Sequence, residues 1–131
     1  MIVEATQVSG MRFELRSGER ILLADQRPEY GGGDTGPMPS ELFLWSIASC
    51  YGQSLAHVAA KARTVLEGLR VEVTGSKDPA SARISSVLVT VEARCDPDRL
   101  ERIALLARNI CFITNSISAS VEVCFELKAL P

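Results

Sequence analysis

Sulfur is the most reactive chemistry this chain offers. Its four cysteines stand at Cys50, Cys95, Cys111 and Cys124. A cysteine attacks as its thiolate, so its surroundings decide whether it reacts. No two are spaced as C-x-x-C, which argues against a zinc site and a thioredoxin-like pair. No metal and no cofactor is expected. His57 is the only histidine. On a helix it would lie two turns beyond Cys50, about 10 Å along the axis, too far to hydrogen-bond to it within one chain. The run Gly31-Gly32-Gly33-Asp34-Thr35-Gly36 matches neither a P-loop nor a dinucleotide fingerprint and reads as a flexible loop. The bland reading of any one cysteine is a small buried hydrophobe. Cys95 fits that reading, as does Cys124, which falls in the alternating run Val121, Val123, Phe125.

The elements that position these residues follow from patterning. Residues 2–8 read as a strand, and residues 11–16 and 19–25 flank Ser17-Gly18 as a hairpin. Residues 26–38 form a loop carrying Pro28, Pro37 and four of the nine glycines. Pro39, Ser40 and Glu41 then favour a helix start, and the helix should run to about Arg63. Its residues Leu42, Phe43, Leu44, Trp45, Ile47, Ala48, Leu55, Val58 and Ala59 make it apolar almost all round, the mark of a buried helix. A polar stripe runs Ser46, Ser49, Gln53, His57. Such a helix spans roughly 35 Å, more than the roughly 30 Å expected across one domain of this size. A second subunit is the simplest cover, so a homodimer is expected. Residues 69–77 and 83–94 alternate as two antiparallel strands around Asp78-Pro79. Asp96 caps a second helix with Pro97 at its first position. That helix places Leu100, Ile103, Ala104 and Ala107 inward and Asp98, Glu101, Arg102 and Arg108 outward. Cys111 ends it, a short turn at Thr114-Asn115-Ser116 follows, and residues 119–127 close as a strand.

The 131 residues, 47% hydrophobic and 23% charged, suit one globular domain spanning 1-131. A formal charge of -2 without a basic cluster argues against nucleic acid and against an anionic membrane. The N-terminus lacks the pattern of a signal peptide, and no transmembrane run is present. A cytoplasmic location is expected, where structural disulfides are rare.

These features in order resemble the OsmC/Ohr superfamily over nearly the whole chain. The resemblance is carried by Gly36-Pro37-Met38-Pro39-Ser40-Glu41-Leu42 after the glycine-rich loop and by Ala48-Ser49-Cys50 in the long helix. It continues through the strand pair from Ile84 to Val91 and through Cys111 followed by Asn115-Ser116-Ile117. It implies an α+β OsmC-like fold, β-β-β-α-β-β-α-β, with a long central buried helix and an intertwined homodimer. It also implies a peroxidase for organic hydroperoxides, recharged by a small dithiol or thiol reductant. Cys50 would attack the peroxide and Cys111 would resolve the product.

In the peroxidase branch an arginine from the N-terminal strands favours the thiolate. Arg12, Arg16 and Arg20 are the candidates, with Arg12 best placed. A glutamate follows the helix-starting proline in that branch and pairs with the arginine. Here Ser40 follows Pro39 and the acid comes at Glu41, a displacement of about 100° around the helix. The pattern is closer to the less characterised OsmC-like branch. Leu42, Phe43, Trp45 and Phe112 are candidates for an organic substrate groove, against the simpler reading that they are core. The alternative function is a dimeric protein that binds a small apolar ligand at the subunit interface without turnover.

Overall fold

A computed structural model describes all 131 residues. The fold is α+β, with two three-stranded sheets and three α-helices. The chain divides into two compact units, residues 1–43 and 44–131.

The first unit holds β1 (Glu4–Ser9), β2 (Arg12–Ser17) and β3 (Arg20–Ala24), an antiparallel meander in that order. Gly18 at φ 60 makes the tight turn the sequence marked. The glycine-rich loop is fastened, not free. Asp25 is buried and accepts hydrogen bonds from the Thr35 hydroxyl (2.6 Å), the Thr35 amide (3.1 Å) and the Gly33 amide (3.3 Å). Its own amide donates to the Pro37 carbonyl at 3.1 Å. Close backbone approach explains two of the glycines. A Cβ on Gly32 would meet the Gln26 carbonyl oxygen, and one on Gly36 would stand 2.4 Å from the Leu23 carbonyl oxygen.

Helix α1 (Pro39–Lys61) begins where expected. It stops short of Arg63 because that residue turns left-handed at φ 51, and the Thr64 amide donates back to the Ala59 carbonyl at 2.9 Å. Ile47, Tyr51, Ser54, Leu55 and Ala59 are buried, while Trp45, Gln53 and His57 are exposed on the single chain.

In the second unit β4 (Glu67–Lys77) and β5 (Ile84–Arg94) form the expected hairpin. Val87, Val89, Val91 and Ala93 point inward and are almost fully buried. Each such valine contributes roughly 1.5–3 kcal/mol of apolar burial. Gly75 leaves room for Leu44 of α1, whose Cδ2 would stand 3.0 Å from an added Cβ. Helix α2 (Pro97–Ile110) is capped by Asp96, which accepts from the Arg99 amide at 3.0 Å. Leu100, Ile103, Ala104 and Ala107 form its buried face, as their spacing requires.

Two features depart from the expectation. The turn after Cys111 is a short helix, α3 (Phe112–Ile117). Hydrogen bonds from the Ser120 and Val121 amides to the Ile117 carbonyl, both 2.9 Å, prolong the turn beyond it. The last strand, β6, is therefore displaced to Glu122–Leu130, parallel to β5 at the sheet edge. No helix is long and apolar enough to cross a membrane.

Candidate thiol site

Cys50 lies in the middle of α1 and is half-buried. Its carbonyl accepts from the Ser54 hydroxyl at 2.9 Å. Cys111 is the single residue between α2 and α3, with a non-helical backbone (φ -72, ψ 101). It is fully buried. Roughly sixty residues separate the two cysteines in sequence, yet the fold brings Cys50 near enough to Cys111 to act on its thiol. Burial raises the Cys111 thiol above its ordinary value, hydrogen bonds from Thr114 oppose this, and Cys50 adds to the rise. All four cysteines are free thiols.

Around this pair the second unit builds a small aromatic and cationic cluster. Tyr51 follows Cys50 on α1 and is fully buried. Its hydroxyl donates to the Ala104 carbonyl of α2 at 3.0 Å. Its ring lies 5.0 Å from that of Phe125 on β6, tilted by 58°. The Arg108 guanidinium stands over the same Phe125 ring, 4.1 Å from its centroid. Sequence reasoning put Arg108 on the solvent face of α2, but it is half-buried, because a planar cation over an aromatic ring is stabilised there. The clue was its spacing: three residues before Cys111, it leaves the helix on the side that faces the site.

The other nominated residues lie as follows. Glu41 is at the third position of α1, where its carboxylate accepts from the Met38 amide (3.3 Å) and from Arg27 (3.4 Å). This is half of a capping box. Its ionic partner is thus Arg27, which also reaches Asp34 at 3.9 Å. Arg27 was not singled out from sequence, since nothing in its local pattern distinguishes it. Arg12 is half-buried on β2, and its Nε is buried without a hydrogen-bond partner. Arg16 pairs with Glu14 at 2.8 Å on the same strand face. Leu42 and Phe43 are half-buried, whereas Trp45 and Phe112 are exposed, at 56% and 66%. Trp45 lines a shallow depression of about 220 Å³ against Arg70, Val71 and Glu72 of β4. Cys95 is half-buried. Cys124 is exposed, contrary to its reading as packing: Val123 and Phe125 face inward, so strand alternation turns Cys124 outward.

Two three-stranded β-sheets, a long helix carrying Cys50 and a second helix that ends at Cys111 make up the α+β fold that holds this thiol pair. Residues 31–126 match the family described as OsmC-like protein, and the chain belongs to that family. Organic hydroperoxide resistance protein OhrB of Bacillus subtilis (strain 168) is 27% identical over 99 residues, which span 73% of each chain. The crystal structure of B. subtilis OhrB superposes with a TM-score of 0.72 at 23% identity, covering 98% of both chains. An OsmC-like protein from Mycoplasma pneumoniae superposes with a TM-score of 0.88 at 14% identity, covering 99% of this chain and 96% of that one. At these identities the structural likeness speaks for the fold.

Proposed function

We propose that this protein is a thiol peroxidase that reduces organic hydroperoxides, with Cys50 attacking and Cys111 resolving. What supports the reading is that Cys50 and Cys111, remote in sequence, are near enough for Cys50 to help raise the Cys111 thiol. Burial divides their roles. Cys50 is half-buried, whereas Cys111 is fully buried and its thiol is raised by that burial. The Cys50 thiolate attacks one peroxide oxygen, the O–O bond breaks, and the departing alkoxide takes a proton to leave as an alcohol. Cys50 is now a sulfenic acid. Cys111 loses its proton and attacks that sulfur, and hydroxide leaves with the proton as water. The resulting disulfide is reduced by exchange with a small dithiol or thiol, which is oxidised in turn.

In this proposal the protein works as a homodimer in a reducing, cytoplasmic compartment. The exposed aromatics Trp45 and Phe112 favour an organic substrate over a small inorganic one. Glu41, one place beyond the family's glutamate position, holds Arg27 and the start of α1.

Cumene hydroperoxide tests the reading. Two thiols per chain should disappear quickly in the wild type. Cys50→Ser should abolish the loss, and Cys111→Ser should stop at a sulfenic acid that dimedone traps. If wild type and Cys50→Ser lose thiols at the same slow rate, the peroxidase reading is wrong. A small apolar molecule retained through purification by such an inert protein would instead support the binding alternative.

A further inference from the structure

A groove lies between the end of α1 and the first half of α2, both within the second unit. Its volume of about 380 Å³ falls at the small end of the roughly 300–1,000 Å³ usual for small-molecule sites. Val58 and Ala62 of α1 line it together with Ile103, Leu106, Arg99 and Arg102 of α2. Ile103 is buried and both arginines are exposed, so the floor is apolar and the rim cationic. On α2 these residues recur at spacings of three and four, which sets them on one face. Val58 lies about 12 Å beyond Cys50 along α1, and the two arginines lie about 13–18 Å before Cys111 along α2. The cationic rim is therefore remote from both thiols.

The two guanidiniums have no partner. Ion pairs in the second unit engage Arg70, Arg94 and Lys128, whereas Arg99 and Arg102 form none, although Asp98 and Glu101 adjoin them in sequence. The carbonyls that end α1 are taken by other donors. Those of Val58, Ala59 and Ala60 accept backbone amides, and that of Ala62 accepts the Thr64 hydroxyl at 3.3 Å. Like charges three residues apart on a helix repel, and Arg99 stands in the first turn, where the dipole also disfavours a cation. Lys61 and Arg63, on either side of Ala62, add two more positive charges to a chain whose net charge is -2. One carboxylate over the rim would relieve this repulsion, and a guanidinium fits a carboxylate with two parallel bonds. The floor beneath it would take a hydrocarbon tail out of water. A second copy of the chain is a poorer occupant, because a two-fold contact centred here would set two unpaired arginines from each subunit against one another.

We propose that this groove binds a free medium-chain alkyl carboxylate, its head between Arg99 and Arg102 and its tail over Val58, Ile103 and Leu106. The inference does not depend on the peroxidase reading.

The test is a titration of full-length, methyl-labelled protein with octanoate below its micelle concentration, followed by NMR. Signals of Val58, Ile103 and Leu106 should shift together and saturate. Hexanoate and butyrate should bind more weakly, by roughly two- to fourfold per methylene lost. Octanol keeps the chain without the charge, and Arg99→Gln/Arg102→Gln removes the rim; each should weaken binding by roughly five- to twentyfold. Arg70→Gln/Lys128→Gln, which takes the same charge from the second sheet, should bind as the parent does, and so should Cys50→Ser. The absence of saturating shifts, or octanol bound as tightly as octanoate, would overturn the proposal. So would equal weakening by both charge-removing pairs, which marks unspecific attraction, or loss of binding in Cys50→Ser, which puts the ligand at the thiols. Protein that sediments with phosphatidylglycerol vesicles yet ignores octanoate would make the patch a membrane contact instead. Octanoate that shifts these methyls only while splitting a dimer, seen by light scattering, would make it a subunit contact.

Discussion

Replacing Tyr51 by phenylalanine removes one oxygen from a fully buried position and leaves the ring. The lost bond is the 3.0 Å contact to the Ala104 carbonyl, which joins α1 to α2. That carbonyl sits within α2 and keeps its helical N–H donor, so it is not orphaned. The direct cost is therefore near the net value of one hydrogen bond, about 1 kcal/mol. Arg108 also loses its phenol neighbour in a half-buried setting, which raises the total to about 1–2 kcal/mol. The ring contact with Phe125 is unchanged, so the loss of about 3–5 kcal/mol typical of deleting a whole aromatic side chain is not expected. For a chain of this length the change corresponds to roughly 4–7 °C in Tm. Urea unfolding at one fixed protein concentration should give a lower midpoint with an unchanged slope. Loss of less than about 0.5 kcal/mol would mean that the hydroxyl does not join the two helices. Combining Tyr51→Phe with Arg108→Met should cost less than the sum of the single changes, because both remove the same contact.

Two further outcomes follow from the loop that precedes α1. Hydrogen bonds from Thr35, Gln26 and Gly33 hold Asp25 at about 2, below its ordinary 3.8, so this carboxylate stabilises the fold above pH 3.8 and loses its contribution as pH falls through about 2. Asp25→Asn should lower stability at neutral pH and flatten the acid limb of a stability–pH curve; an unchanged limb would refute the assignment. Gly36→Ala should destabilise by roughly 1–3 kcal/mol, because backbone and not a side chain blocks the new methyl. Gly52→Ala is the matched control: its Cβ would meet Val71 at an ordinary 3.6 Å inside a helix, so chemical denaturation should find it neutral or more stable.

The element order was legible because each segment carried a periodicity its surroundings agree with. Leu100, Ile103, Ala104 and Ala107 read as one helix face and are one, and Val87, Val89 and Val91 alternate inward as a half-buried strand must. The misreadings have separate causes. Arg108 was placed on the outer face with the other charged residues, yet a guanidinium can lie on an aromatic ring; Cys124 was read as packed from its alternating strand, yet the same alternation turns it outward. Likewise, glycine content suggested a flexible loop, while Asp25 ties residues 25–37 with bonds no local pattern announces. Sequence named both cysteines of the pair but not the cluster beside them, since contacts among Tyr51, Phe125 and Arg108 form only when three distant segments meet.

The backbone at the two cysteines bears on which of them gives way when a disulfide forms. Such a bond requires Cα atoms roughly 4.4–6.8 Å apart and a narrow range of torsions. Cys50 lies inside the hydrogen-bond ladder of a 23-residue helix, where a local shift would break several bonds at once. Cys111 is the extended joint between two helices, and its torsions belong to neither. Adjustment therefore falls on residue 111 and on α3, the six-residue helix that follows it. Oxidation should accordingly change hydrogen exchange across α3 far more than across the centre of α1. The opposite pattern would mean that the long helix, not the joint, accommodates the bond.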